Sequence, residues 1–183
     1  GFVAGSMVIG TVGRLNKLKS VDHLIQAVAG LRQDGLSVCC LVVGEGEERQ
    51  SLEQLAEKLG IAGHVHFAGF QPVPLSWVQA MDICALCSSK EGFPRVVLEA
   101  MLAAKPVVGS DVNGTRELIV HEETGLLYAY GDVPELAAAL RRLAQDPNLR
   151  RDMGNAGRRT VAMHYSIEAY VDGVAKVLAE TFK

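Results

Sequence analysis

From Met7 onward, short apolar runs rich in β-branched residues alternate with stretches whose apolar positions recur every three or four residues, the signal of successive strand and helix units around a parallel sheet. These runs predict strands over 8–12, 38–43, 65–67, 83–87, 106–109 and 125–128, which suits a doubly wound α/β sheet of about six strands with helices on both faces. Between the first two strands, Val21, Leu24, Ile25, Val28 and Leu31 form one apolar stripe at helical spacing. Further helices are predicted over 48–59, 74–81, 94–104, 115–120 and 133–145. The last is the best bounded, because Asp132 reads as an N-cap with Glu135 as its reciprocal partner. Two more helices, about 149–164 and 167–182, close the chain as a helical tail whose expected role is to pack over the sheet. In an open sheet of this kind, ligands bind beyond the carboxyl ends of the strands where strand order reverses. That rule points to the loops after Val12, Val43, Phe67, Cys87 and Gly109.

The loop after the fourth strand is the most informative: Ser88-Ser89-Lys90-Glu91-Gly92-Phe93-Pro94-Arg95-Val96-Val97-Leu98-Glu99-Ala100-Met101. Glu91 stands at the strand exit, while Glu99 falls inside a helix that reads as apolar nearly all round, against a sheet. A bare carboxylate buried there costs on the order of several kcal/mol unless a polar ligand or partner satisfies it. A polar occupant of the adjoining cleft is therefore expected. Gly92-Phe93 turns the chain, Pro94 suits the first helical turn, and the amides of Arg95, Val96 and Val97 should then face an anion favoured by the helix dipole. An anion site beside a carboxylate suggests a ligand with both phosphate and hydroxyl groups, such as a phosphorylated sugar.

The remaining loops are weighed against plainer roles. Gly13-Arg14-Leu15-Asn16-Lys17-Leu18-Lys19-Ser20 places cations ahead of a helix N-terminus, a site for phosphate or diphosphate or, equally, a solvated basic loop. Gly44-Glu45-Gly46-Glu47-Glu48-Arg49 begins like a dinucleotide fingerprint, but Arg49 occupies the third glycine position and three acids would repel a pyrophosphate. Its glycines are better explained by close backbone approach to the cleft. Ser110-Asp111-Val112-Asn113-Gly114-Thr115-Arg116-Glu117 reads as a structural turn, with Glu117 a first-turn acid. His23, His64, His66, His121 and His164 pair with no visible nucleophile, and Trp77 reads as core.

Composition narrows the classes. The 183 residues suit one domain with a two-sided core, and 49% hydrophobic with 5% aromatic residues excludes disorder. Eighteen basic against 21 acidic residues, a net charge of −3, leave no electrostatic footprint for nucleic acid. No apolar run is long enough to span a membrane and no secretory signal is visible, so the expected compartment is the cytoplasm. Cys39, Cys40, Cys84 and Cys87 all lie in predicted strands; adjacent cysteines on a strand point to opposite faces, so reduced, buried thiols are expected and no metal site. Residues 1–6 begin without methionine or clear period and read as a linker remnant, with 7–183 as one lobe of a longer protein.

From about Ile9 to the C-terminus, the motifs taken in order resemble the C-terminal, donor-binding lobe of family-4 retaining glycosyltransferases of the GT-B fold. They are Gly13-Arg14-Leu15 with Lys19, Gly44-Glu45-Gly46, Phe67-Ala68-Gly69-Phe70, Ser88-Ser89, the pair Glu91-x7-Glu99, Pro106-Val107-Val108, Asn113-Gly114-Thr115-Arg116-Glu117 and Thr124-Gly125-Leu126-Leu127. Each is weak alone; their order and spacing are specific. The resemblance implies a Rossmann-like lobe and a nucleoside-diphosphate sugar as donor substrate, UDP- or GDP-linked, held without an essential metal or other cofactor. It further implies that Arg14 and Lys19 neutralise the diphosphate with amides around Arg95, Val96 and Val97, and that Glu99 accepts from the ribose hydroxyls. Glu91 would lie against the transferred sugar, with Phe93 beside it in the turn, and the base would lie against backbone near Gly69, Phe70 and Val73. Cations matched to the leaving diphosphate should affect turnover as well as binding. The implied enzyme is a retaining hexosyltransferase of polysaccharide or glycolipid biosynthesis, whose N-terminal lobe supplies the site for a glycan or lipid-linked acceptor. Without that lobe the chain should bind donor and be nearly inactive, and through it the protein would touch the membrane peripherally.

Two positions depart from the pattern. Pro94 stands where many relatives carry glycine and cannot donate a hydrogen bond, and Ser20 follows Lys19 where glycine is frequent. The alternatives are a nucleotide-binding module without turnover, or the lobe of a sugar-nucleotide epimerase or a phosphorylase of similar architecture.

Overall fold

The computed structural model describes residues 5–165; the helix expected over 167–182 lies outside the described residues. Six strands, β1 (Met7–Val12), β2 (Val38–Val43), β3 (Val65–Gly69), β4 (Ile83–Leu86), β5 (Val107–Ser110) and β6 (Gly125–Tyr128), form one sheet. Their spatial order is β3-β2-β1-β4-β5-β6 and every pairing is parallel. The helices are α1 (Val21–Gln33), α2 (Arg49–Lys58), α3 (Leu75–Gln79), α4 (Arg95–Leu102), α5 (Asn113–Arg116), α6 (Val133–Gln145) and α7 (Pro147–His164). This is the doubly wound, Rossmann-like arrangement expected from the strand pattern.

Both faces of the sheet are covered, which is why β2 reads as an unbroken apolar run and all of its residues are buried. On one face, Ile9, Cys40, Val42, Ile83, Ala85 and Val108 pack with Leu24, Ile25 and Val28 of α1 and Leu136, Leu140 and Leu143 of α6. On the other, Cys84, Leu86 and Val107 pack with Val97, Ala100 and Met101 of α4 and Val161 of α7. All four cysteines are free and buried. Burial pushes the Cys39 thiol up to about 11 and those of Cys84 and Cys87 to about 12, and raises Cys40 as well, so all four stay protonated. Among the described residues no helix is long and apolar enough to cross a membrane.

Several local expectations are corrected. Helix α4 is not apolar all round: Val97, Ala100 and Met101 are buried, but Leu102 is 50% exposed and Glu99 is only half-buried, so the carboxylate lies at the rim of the helix contact rather than inside it. Helix α5 is a single turn that starts earlier than expected, which places Glu117 at its C-terminal end and not in its first turn. At α6 the Asp132 carboxylate accepts from the Glu135 amide, but the Glu135 carboxylate accepts from the Ala129 amide at 2.7 Å instead of closing a reciprocal box. Helix α7 begins at Pro147, because Asp146 accepts from the amides of Asn148 and Leu149. It lies close against the end of α4: a Cβ on Gly154 would stand 2.1 Å from the Ala104 carbonyl oxygen.

The loop after β2 is locked onto the loop after β1. Gly13 N–H donates to Val43 O and Leu15 N–H to Glu45 O, both at 2.9 Å. Gly44 has a φ of +139°, and a Cβ there would stand 1.8 Å from the Gly13 carbonyl oxygen. This is the close backbone approach anticipated for these glycines. Gly44→Ala therefore combines a steric clash with a disfavoured backbone conformation and is expected to cost about 2–4 kcal/mol in urea unfolding; a loss below about 0.5 kcal/mol contradicts the close approach.

Candidate functional site

Strand order reverses between β1 and β4, the central neighbours, because the chain leaves β1 toward β2 and leaves β4 toward β5. The loops after these two strands therefore face one another across the crevice at their carboxyl ends. They are joined by backbone and side chain: Ser89 N–H donates to Leu18 O at 2.8 Å, and Lys19 Nζ donates to Glu91 Oε1 at 2.5 Å. Lys19 is delivered by the short 3-10 turn Lys17–Lys19, which Asn16 caps by accepting from the Lys19 amide. Ser20 ends that turn in the left-handed region, with φ 44°. Its hydroxyl bonds to the Lys17 carbonyl and to the Tyr130 hydroxyl, both at 3.1 Å. These contacts offset the strain of a non-glycine residue there.

A cleft of about 290 Å³ opens beside this junction, lined by Arg14, Lys19, Glu91, Phe93, Arg95, Val96 and Glu99 among others. A larger one of about 560 Å³ adjoins it, sharing Gly13, Arg14, Pro74 and Arg95 and continuing past Glu45, Phe70, Gln71 and Pro72. On its other side Glu91 borders a third cleft of about 400 Å³ with Ser89, Lys90, Asp111 and Asn113. The structure thus brings together Arg14, Lys19, Glu91, Phe93, Arg95, Val96 and Glu99, with Phe70 at the far end, 73% exposed.

Three of the expected residues stand differently. The Val97 amide donates to the Pro94 carbonyl at 3.0 Å, and its side chain is fully buried, which leaves only the amides of Arg95 and Val96 at the open helix end. The Gly69 carbonyl is already engaged by the Gly44 amide at 2.9 Å. Val73 is exposed but is not among the residues that line either large cleft; Gln71 and Pro72 line that wall instead. Arg14 makes a loose 3.4 Å pair with Glu47, both side chains mostly exposed, so its guanidinium is free to exchange partners. The Glu99 carboxylate has no hydrogen-bonded protein partner among the described residues; its carbonyl accepts from the Ala103 amide.

Sequence reasoning named Ser88 and Ser110 only within motifs and missed their place behind Glu91. Ser88 and Ser110 are fully buried. Ser88 Oγ donates to Glu91 Oε1 at 2.6 Å, and Ser110 Oγ donates to the Ser88 carbonyl at 2.6 Å. A serine at the end of each of two neighbouring apolar strands was the available signal.

Residues 2–160 match the family model described as glycosyl transferases group 1. The chain belongs to this family. The lipopolysaccharide core biosynthesis glycosyltransferase LpsE of Rhizobium meliloti (strain 1021) is 33% identical over 176 residues, covering 96% of this chain and 51% of LpsE. Among solved structures, Anabaena Alr3699/HepE in complex with UDP and glucose superposes with a TM-score of 0.88 at 28% identity, over 97% of this chain and 49% of HepE. The C-terminal domain of the group 1 family protein LpcC from Francisella tularensis superposes with a TM-score of 0.80 at 30% identity, over 88% of this chain and 87% of that domain. The chain spans about half the length of the curated relatives it matches.

In this group 1 glycosyl transferase chain, the left-handed backbone at Ser20 would suit glycine, and the structure explains the serine through its bonds to Lys17 and Tyr130. Ser20→Ala keeps the left-handed strain and loses both hydrogen bonds, so it is expected to lower stability by about 1–2 kcal/mol in thermal or urea unfolding. Ser20→Gly relieves the strain and should lose less; equal losses for the two variants would contradict the role given to Ser20.

Proposed function

We propose that this chain is the C-terminal, donor-binding lobe of a retaining glycosyltransferase that uses a nucleoside-diphosphate sugar. The observation that carries the reading is the single cleft at the strand reversal, where Arg14, Lys19 and Arg95 meet the carboxylates of Glu91 and Glu99 beside an open helix N-terminus. Cations and free amides suit a diphosphate, and carboxylates suit hydroxyl groups. The presence of UDP and glucose in the HepE complex supports the same class of ligand.

In this reading the diphosphate lies between Arg14 and the amides of Arg95 and Val96, and the ribose hydroxyls donate to Glu99; Lys19, expected to neutralise the diphosphate with Arg14, is instead engaged by Glu91 and acts on it from that position. The base runs along the Phe70 to Pro72 wall, and Glu91 faces the transferred sugar. Transfer breaks the bond between the anomeric carbon and the phosphate oxygen; the acceptor hydroxyl oxygen bonds to that carbon, and its proton passes to the departing diphosphate. Negative charge grows on the departing diphosphate, so Arg14 and Arg95 stabilise the transition state more than the ground state. The N-terminal half of the longer relatives would supply the acceptor side, and the acceptors are glycans or lipid-linked glycans.

Hydrogen bonds to a charged group contribute about 1.5–3 kcal/mol each, so Glu99→Ala is expected to weaken nucleotide binding roughly ten- to a hundred-fold. Calorimetric titration of the chain and the variant with UDP, GDP and ADP checks this and identifies the base. Unchanged affinity in Glu99→Ala would remove the ribose assignment.

A further inference from the structure

Glu91 does not offer two equivalent oxygens. Oε1 accepts from Lys19 Nζ at 2.5 Å and from Ser88 Oγ at 2.6 Å, whereas Oε2 has no hydrogen-bonded protein partner among the described residues. The two donors arrive from the loops after different strands, Lys19 from the loop after β1 and Ser88 from the loop after β4, so they fix the plane and the rotation of the carboxylate between them. Lys19 is a flexible four-carbon chain, 27% exposed; Ser88 is short, fully buried and itself pinned through its carbonyl by Ser110 at the end of β5. The rigid member of the pair is therefore the serine.

We propose that Ser88, held by Ser110, is a positioning residue that presents Glu91 Oε2 as the one oxygen available to the transferred sugar, and so lets the site favour a sugar-bearing donor over the bare nucleoside diphosphate. The proposal rests on the donor reading above and assigns a specificity role to two buried serines. A carboxylate that can rotate pays orientational entropy before it accepts a sugar hydroxyl, and it offers Oε1 and Oε2 in turn; one locked by two donors does neither. The nucleotide half of the ligand lies away from Glu91, against Arg14, Arg95 and Glu99, so it should not sense the change.

The test is calorimetric titration of the 183-residue chain with UDP, UDP-glucose, GDP and GDP-mannose, using Ser88→Ala, Glu91→Ala and the double variant, each first shown to be folded by circular dichroism. For the pair that the unaltered chain binds, Ser88→Ala is expected to weaken the sugar conjugate about tenfold while the affinity for the bare diphosphate stays within about twofold. The double variant should bind the conjugate no more weakly than Glu91→Ala alone, because Ser88 acts through Glu91. Ser110→Ala should show the same selective loss, smaller in size. Equal weakening of both ligands by Ser88→Ala assigns the serine a purely structural role and overturns the proposal. So does an undiminished affinity for the conjugate, or a loss that adds to that of Glu91→Ala. A folded, unaltered chain that binds none of the four ligands, nor ADP or ADP-glucose, overturns the donor reading itself, and the proposal with it; binding of a bare diphosphate without any gain from its sugar overturns the proposal alone.

Discussion

Two neighbouring strands at the centre of the sheet send their chains in opposite directions, and the crevice this leaves is where the candidate site residues meet. β1 continues through α1 on one face to reach β2, and β4 continues through α4 on the other face to reach β5. Neither crossover can roof the gap between them. The contact that spans this gap is Lys19 with Glu91, supported by the backbone bond from Ser89 to Leu18. If the two loops separated, Arg14 and Glu99 would no longer border a common cleft, and the exposed end of α4 would face bulk water.

The charges around the cleft fall into committed and exchangeable groups. Lys19 is committed, since its ammonium is half-buried against Glu91, whose side chain is only 10% exposed. Arg14 is exchangeable: a loose, exposed pair such as that with Glu47 is worth about 0–1 kcal/mol, less than the charge-assisted bonds a phosphate offers. The acids of the loop after β2 therefore do not bar an anion. Glu47 holds Arg14 loosely near the cleft, while Glu45 and Glu53 bracket Arg49, which lies over the Phe67 ring. Under the proposed donor reading, a diphosphate would displace only the weak Arg14–Glu47 pair and leave the Lys19–Glu91 contact between the loops in place.

The fold was legible because a parallel sheet covered on both faces writes itself as apolar runs of strand length, and β2 and β6 were found with their observed limits. The grouping of the candidate site was legible where loops at strand ends carry charge, since Arg14, Lys19, Glu91 and Glu99 border one cleft. It failed where a group's fate is decided by the exact local turn of the backbone or by a neighbour distant in sequence. The Val97 amide was counted as free because its bond to Pro94 depends on the tight first turn of α4. The Gly69 backbone, expected to lie against the base, has its carbonyl engaged by the Gly44 amide, which arrives from the end of the neighbouring strand. Ser88 and Ser110 are 22 residues apart and look like ordinary strand ends until the sheet sets them side by side. Glu99 was expected to be buried because eight residues of helix cannot reveal how far its apolar arc extends.

The most direct measurement is a titration of the 15N-labelled chain with UDP and with GDP, followed amide by amide by NMR. The expected result is saturable shifts concentrated in residues 13–20, 69–73 and 92–99, with the amides of Arg95 and Val96 among the largest and the opposite edge of the sheet unchanged. Shifts centred on that opposite edge, or saturable binding that leaves Arg95 and Val96 unmoved, would contradict the assignment of this cleft as the nucleotide site.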